Sequence, residues 1–475
     1  MAEKNGLKQL VVVGAGPGGY AAAFHAADLG VQVTLIDPQI NPGGVCLYRG
    51  CIPTKILLHI AKVITEAGEL RNCGVDFPKP KIDVEKIRSF KTSVIKKLVQ
   101  GLGQLCRQRK VEFIQGLASF TGSNALEVKT KRNGTQKISF DHAILATGSC
   151  PVTIPDIPCS IPAVMDSSKA LQVGNIPESL LVIGGGYIGL ELGSFYAAIG
   201  TKVSVVEMTS NLMPGSDPEL VSVLSKHLQK FFADIMLNTT VAKISEQNGK
   251  LKVIFEGQNL GKKEAVYEKL LVAVGRKPKS AGIGLENTKI EVDAKGYVIV
   301  DEKRRTADAS IYAIGDVAGQ PLLAHKATHE AVVAAKAIAG LDAAFEPQAI
   351  PFVIYTEPEV AECGLSENQA KKQNRAIKVA KFPWQASGRA ATMGKSTGLT
   401  KLIIDPANDR ILGAGIVGTA AGELIAEGVL AVEQAVTAQV LASTIHAHPT
   451  LSETLMEAAE VYLGQCIHLY RPKRP

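Results

Sequence analysis

The sequence predicts an α/β chain in which one parallel βαβ module occurs twice, followed by an α+β domain with an antiparallel sheet. Two strand–glycine turn–helix patterns predict the repeat, and each ends on a carboxylate at the same spacing. Beyond Pro347 the texture changes to alternating β-type runs (Phe352 to Tyr355, Leu399 to Ile404, Ile411 to Val417). Helical patterns follow from Ala420 onward.

In the first copy, Leu10 to Val13 is a short buried-strand run entering Gly14-Ala15-Gly16-Pro17-Gly18-Gly19. A helical pattern spans Tyr20 to Leu29, and a second strand, Gln32 to Ile36, ends at Asp37. The second copy runs Leu180 to Ile183, Gly184-Gly185-Gly186-Tyr187-Ile188-Gly189, then Lys202 to Val206 before Glu207. In both, the acid lies 23 positions after the first glycine. One such glycine motif is weak evidence; two in full context point to two Rossmann-like dinucleotide-binding domains. Gly14, Gly16 and Gly19, like Gly184, Gly186 and Gly189, let backbone approach a pyrophosphate at the helix N-terminus. Asp37 and Glu207 then accept from ribose hydroxyls. Further strands enter turns at Ala146-Thr147-Gly148, Val274-Gly275-Arg276 and Gly315-Asp316. Asn133-Gly134 predicts a hairpin. Pro151 to Pro162, with four prolines, predicts a connection between domains.

Cys46 and Cys51 follow the first module, five positions apart. A continuous helix would not put them on one face, but Gly50 permits a break and Pro53 suits the first turn of a new helix. A helix N-terminus at Cys51 would favour its thiolate. A dithiol beside a bound cofactor suggests electron transfer. On spacing alone, two buried thiols that never meet fit about as well.

With 475 residues, 46% of them hydrophobic, and 45 glycines, the chain has the composition of a multidomain soluble protein. Met1 to Leu10 is polar, and the apolar run Ile411 to Ala421 is glycine-rich and stops before Glu423. Neither a leader nor a membrane span is expected, and a cytoplasmic location follows. The other six cysteines are scattered and no zinc pattern occurs, so no metal site is expected. The net charge of +7 is concentrated between Lys79 and Lys110, where ten Lys/Arg face two acids. Val84, Ile87, Val94, Ile95, Leu98 and Leu102 recur there at helical spacing, which predicts an amphipathic helix with a basic face. No aromatic stripe accompanies the charge, so no nucleic-acid binding is expected.

Together with His446-Ala447-His448-Pro449-Thr450-Leu451-Ser452-Glu453, these motifs resemble the pyridine nucleotide-disulfide oxidoreductases from Val11 to about Leu463. Within that family they resemble the branch that oxidises dihydrolipoyl groups. Leu323 to Ala327, Tyr355 to Val360 and Ala421 to Ile425 also match. The resemblance implies an FAD-binding domain at 1–150 and an NAD-binding domain at 151–276. It implies a central domain at 277–347 that completes the FAD site, and an interface domain at 348–475. It makes Cys46–Cys51 a redox disulfide, with Cys46 toward substrate and Cys51 toward the flavin. Asp316 would hold the ribitol chain, with Ala118, Gly148 and Ala324 near it. Lys55 would pair with Glu191 beside the flavin ring, although an exposed first-turn lysine is an equally simple reading. Val241, Gly275 and Arg276 would contact NAD. His448 would be the base, oriented by Glu453 and supplied across a homodimer, with His446 structural. Thr450-x-x-Glu453 also reads as a capping box for the last helix. The implied partners are lipoyl domains and the acyltransferase core of a 2-oxo acid dehydrogenase complex, or a lipoyl carrier protein of glycine cleavage.

Members that use NADP need cations after the second strand, and Met208-Thr209-Ser210-Asn211 carries none. Members with an extra redox pair need two tail cysteines, and only Cys466 is there. Another NAD-linked flavin disulfide reductase and a non-catalytic flavoprotein scaffold are the remaining alternatives. Tyr48 and Arg49 depart from the usual pattern by adding bulk and charge between the cysteines. Gly415 and Trp384 depart by replacing a histidine and a phenylalanine.

Overall fold

Gln9–Val13 is apolar on both faces, which suits a central parallel strand covered by helices on either side. It pairs in parallel with Gln32–Asp37 and with His142–Leu145. The computed structural model describes residues 8–130, 134–155, 157, 161–258 and 261–470. Asn133 of the expected hairpin tip, parts of the Pro151 to Pro162 connection and the last five residues lie outside the described residues.

The first sheet has seven strands. Glu112–Gly122 pairs in parallel with Gln32–Asp37 through its first half, then turns into an antiparallel ribbon with Ala125–Thr130 and Gly134–Ser139. Its opposite edge is Ile311–Ala313, from far along the chain, paired in parallel with His142–Leu145. That edge strand delivers Gly315 and Asp316 to the same end of the sheet as Gly14. Helix α1 (Pro17–Asp28) begins with proline in its first turn and packs on the alanine-rich helix Ala324–Ile338.

The second module repeats the plan in a five-stranded parallel sheet centred on Ser179–Ile183. The helix Tyr187–Ala198 follows its glycine turn. A short antiparallel pair, Ser149–Pro151 with Arg276–Pro278, joins the two modules. Beyond it, five antiparallel strands are covered by the helices Ala421–Glu433 and Glu453–Leu463. The glycines of Ile411–Gly418 there make room for neighbours: a Cβ on Gly418 would fall 2.3 Å from the Trp384 ring. Trp384 is fully buried and donates its indole N–H to Thr400 Oγ1 at 3.0 Å, so the larger ring is accommodated by glycine and polar satisfaction together.

Helix α2 (Gly44–Arg49) and helix α3 (Cys51–Glu69) are separated by Gly50, whose φ of −144° and ψ of −115° break the helical ladder. Helix α4 (Val84–Gln108) is the expected basic amphipathic helix, capped by the Asp83 carboxylate on the Lys86 N–H at 3.1 Å. One of its lysines departs from the basic face: Lys91 is buried and donates to the Leu171 carbonyl.

The second module is pinned to the last domain by a buried cation. Lys401 Nζ lies 2.5 Å from Asp217 and 2.7 Å from Glu219, both at the start of the helix Pro218–Phe231, and also meets Glu367. The three carboxylates converge, and the Lys401 ammonium answers their charge. Burial pushes nearby Glu362 up to about 7, so near neutral pH it carries only part of a negative charge. Lys401→Met is therefore expected to lower unfolding free energy by about 2–3 kcal/mol, because it leaves the buried Asp217 without its cation, while Glu219 and Glu367 are partly exposed and Glu219 keeps Lys381. Chemical denaturation checks this; a change below about 1 kcal/mol would contradict it.

Candidate active site

Both glycine turns are held by the same wiring. Gly14 has φ +98°, and a Cβ there would lie 2.3 Å from the Ala146 carbonyl oxygen. Gly184 has φ +107°, with the Ala273 carbonyl oxygen at 2.6 Å from the same position. Asp37 Oδ2 accepts from the Ala15 N–H at 2.8 Å, and Glu207 Oε2 accepts from the Gly185 N–H at 2.7 Å. Their other oxygens accept from Gln39 N–H and from Thr209 N–H and Oγ1. Each acid thus fixes its loop, and a carboxylate keeps lone pairs for ribose hydroxyls besides. Gly19 and Gly189 allow each helix to pack against its own turn, while Gly16 and Gly186 leave the floor open.

In the first module this floor opens into a cavity of about 420 Å³. Gly14, Gly16, Asp37, Ala118, Gly148, Asp316 and Ala324 line it, and Cys46, Cys51, Lys55 and Glu191 line it too. The arrangement brings the expected first-module residues except Gly19 into one space. Arg276, expected at the second nucleotide, lines this cavity as well. Its Nε donates to Ser149 Oγ at 2.8 Å, and Ser149 donates to Asp316 Oδ2 at 2.5 Å. Gly184, Gly186, Gly189, Glu207 and Gly275 belong to the second module's own turns, away from this lining. Val241 is half-buried against the core of that module.

The two cysteines meet because the helix breaks at Gly50. Their sulfurs lie within hydrogen-bonding reach, Cys46 toward Cys51. That hydrogen bond lowers Cys51 to about 7 against the cost of burial, and Lys55 acts in the same direction. Cys46 is pushed up correspondingly, by the same bond and then by burial. Lys55 lies one turn after Cys51 and forms a bidentate pair with Glu191, at 2.9 and 2.8 Å. Glu191 is buried and also accepts from the Tyr355 N–H at 2.9 Å, and Lys55 Nζ lies 4.2 Å from the Tyr355 ring centroid. Arg49 is exposed at the end of α2 and lines the cavity, while Tyr48 turns away to donate to the Asn41 carbonyl.

Four contributors were not visible in the sequence. Ser149 links Arg276 to Asp316, and Tyr355 holds Glu191. Tyr187 lines the cavity from the second glycine motif, its hydroxyl pushed up to about 12 by burial. Tyr20, in the first turns of α1, is raised by burial and then by Cys46 and Cys51. Of these, Tyr187 alone carried a local signal, as a large residue inside a glycine turn.

His448 lies elsewhere on the surface of the last domain, its side chain 72% exposed, and it does not line the cavity of its own chain. Its Nδ1 faces Glu453 Oε1 at 2.8 Å, so the proton sits on Nδ1 and Nε2 keeps a lone pair. Both ring nitrogens of His446 face acceptors, Thr444 O and Glu427 Oε1, each at 2.8 Å. That leaves His446 no open base position. Glu453 Oε2 accepts from the Thr450 N–H at 2.7 Å. Against burial, this bond and then His448 hold Glu453 below the usual carboxylate range. The expected capping box is only half present. The helix starts at Glu453 itself, and the Thr450 hydroxyl donates to the Ala447 carbonyl and meets Ser452 instead.

Among the described residues no helix is long and apolar enough to cross a membrane. Over 98% of its length the chain is 44% identical to a dihydrolipoyl dehydrogenase of Haemophilus influenzae, covering 97% of that protein. Over 97% of its length it is 44% identical to the dihydrolipoyl dehydrogenase of Thermus scotoductus, covering 98% of it. Among solved structures it superposes on the HOCl-induced flavoprotein disulfide reductase RclA of Escherichia coli with a TM-score of 0.85 at 27% identity. That match covers 95% of this chain and 99% of the other. Residues 350–459 match the dimerisation domain of the pyridine nucleotide-disulphide oxidoreductases. With residues 8–331 matching the pyridine nucleotide-disulphide oxidoreductase family itself, the chain belongs to that family.

Proposed function

We propose that the chain is a dihydrolipoamide dehydrogenase, a homodimer that oxidises protein-bound dihydrolipoyl groups with FAD and NAD⁺. The observation that carries this reading is the cysteine pair, in hydrogen-bond contact at the end of a glycine-floored cavity. A flavin dinucleotide fits that cavity: a Cβ on Gly44 would fall 2.4 Å from Gly16 Cα, so only glycines keep the floor clear. Asp37 would hold its adenosine ribose, Asp316 its ribitol, and Lys55 with Glu191 would stand beside the ring. When bound, the flavin accepts an electron pair from the reduced cysteines and passes it to NAD⁺ as hydride.

The chain's own residues supply the thiol chemistry. Nε2 of the partner subunit's His448 takes the proton from one dihydrolipoyl thiol. The resulting thiolate attacks Cys46 Sγ of the disulfide, the S–S bond breaks, and Cys51 leaves as a thiolate. Lys55 and the N-terminus of α3 stabilise that thiolate. The second dihydrolipoyl sulfur then attacks the lipoyl sulfur of the mixed disulfide, closing lipoamide as the bond to Cys46 breaks, and its proton passes to Cys46, which leaves as a thiol. Glu453 holds the imidazole in the tautomer that this step needs.

The partners would be lipoyl domains and the acyltransferase core of a 2-oxo acid dehydrogenase complex, or a lipoyl carrier protein, in the cytoplasm. NAD⁺ rather than NADP⁺ is the acceptor because Glu207 repels a 2′-phosphate. Glu207→Ala is expected to lower kcat/KM for NAD⁺ by about tenfold through lost ribose hydrogen bonds and a loosened glycine turn. Steady-state kinetics with both nucleotides check it; an unchanged NAD⁺ value would contradict the assignment. The reading itself is tested by assaying dihydrolipoamide oxidation with NAD⁺ as acceptor.

A further inference from the structure

Glu457 follows Glu453 by one turn on the helix Glu453–Leu463, so the two carboxylates leave the same face. Glu457 is almost fully buried, and burial raises its carboxyl, so its ionised form depends on a counter-charge. Its partner is His468, whose Nδ1 meets Glu457 Oε1. The chain returns to make this contact after the left-handed cap Gly464, closed by the Gln465 N–H on Glu460 O at 3.0 Å. His468 also acts on Glu453 and Glu460, favouring the ionised form of each. Cys466 fills the same turn, its sulfur accepting from the His468 and Leu469 N–H groups.

Among the described residues, the other charges on elements packed against this helix are held by partners of their own. Lys381 and Lys401 hold Glu219, and Lys378 lies over the Tyr462 ring. Ala438–Ser443 carries no charge, and His446 is held by Glu427.

We propose that Glu457 and His468 form a second carboxylate–imidazole pair that sets the charge behind Glu453 and so tunes His448 as the base. They act through Glu453 and are positioning residues. The proposal rests on His448 being the base.

His448 works when neutral, so the acid limb of the kcat/KM profile follows its titration. Without His468, the positive charge that favours ionised Glu453 is lost, which favours the His448 imidazolium and moves the limb to higher pH. Without Glu457, the negative charge one turn from Glu453 is lost, which disfavours the His448 imidazolium and moves the limb to lower pH.

The test uses full-length holoenzyme, with kcat/KM for dihydrolipoamide measured from the acid limb to the alkaline plateau. His468→Gln should lose about two- to threefold on the acid limb and nothing on the plateau. Glu457→Gln should gain by a similar factor, and His468→Lys should keep the wild-type limb. Should Glu457→Gln not fold, the His448 ring-proton titration by NMR in the two His468 variants decides the same question. A limb unmoved in His468→Gln, or a loss equal at every pH, would overturn the proposal. His448→Gln separates the two assignments. If it keeps full activity, the base assignment fails; if it abolishes activity while the limbs stay fixed, only the second pair fails.

Discussion

Cys46→Ser and Cys51→Ser are each expected to lower dihydrolipoamide oxidation by at least about a thousandfold while leaving the flavin bound. A serine oxygen cannot close a disulfide, so no route remains from the dihydrolipoyl thiols to the cofactor. Retention of flavin follows from the cavity floor, which is made of backbone at Gly14, Gly16 and Gly44 with Asp37 and Asp316 at its walls. The two variants should differ in the thiol that survives. In Cys51→Ser, Cys46 is half-buried, and burial holds its thiol up. In Cys46→Ser, Cys51 keeps Lys55 and the N-terminus of α3, and should remain the more rapidly alkylated near neutral pH. In the wild-type pair the Cys51 thiolate persists above about 7 and is lost as pH falls below it; in Cys46→Ser only the smaller lowering from Lys55 and the helix end remains, in the same direction. Turnover within tenfold of wild type in either variant would contradict the assignment.

His448→Gln is expected to cost about a hundredfold to ten-thousandfold in kcat/KM for dihydrolipoamide, the usual worth of a general base. The argument comes from placement. His448 is exposed, its Nε2 is open, and it stands apart from the cysteines of its own chain. A base in that position serves a cavity only when a second subunit brings one to it, and residues 350–459 match a dimerisation domain. Chains carrying His448→Ala and Cys46→Ser, each inactive alone, should therefore complement when co-expressed. Random pairing makes half the dimers mixed, each with one competent site, so recovery of about a quarter of wild-type activity is expected. No recovery in dimers shown to be mixed would contradict a shared site.

What was legible in the sequence was local. The two glycine turns and their acids follow from spacing within a short stretch, and their matching loop wiring appears in both modules. The break at Gly50 was readable because five residues cannot place two cysteines together in one regular helix. Residues whose partners arrive from distant segments left no such mark. Ser149 meets Asp316 only because Ile311–Ala313 adds an edge to the first sheet, and Tyr355 reaches Glu191 from the last domain. Lys401 and its carboxylates come from separate elements, each unremarkable alone. The Thr450/Glu453 pattern misled in part, since a capping box and an orienting carboxylate draw on the same residue types. The structure divides the two oxygens of Glu453 between Thr450 and His448.

Whether the cysteine pair serves lipoyl groups is decided by the rate of dihydrolipoamide oxidation by purified enzyme with NAD⁺, beside parallel assays with NADP⁺ and of glutathione disulfide reduction. Rapid NADH formation is expected with NAD⁺, at least about a hundredfold above the NADP⁺ rate, with negligible glutathione disulfide reduction. Flavin reduction by NADH without any turnover of dihydrolipoamide would contradict that role and leave a flavoprotein whose cysteine pair does not serve lipoyl groups.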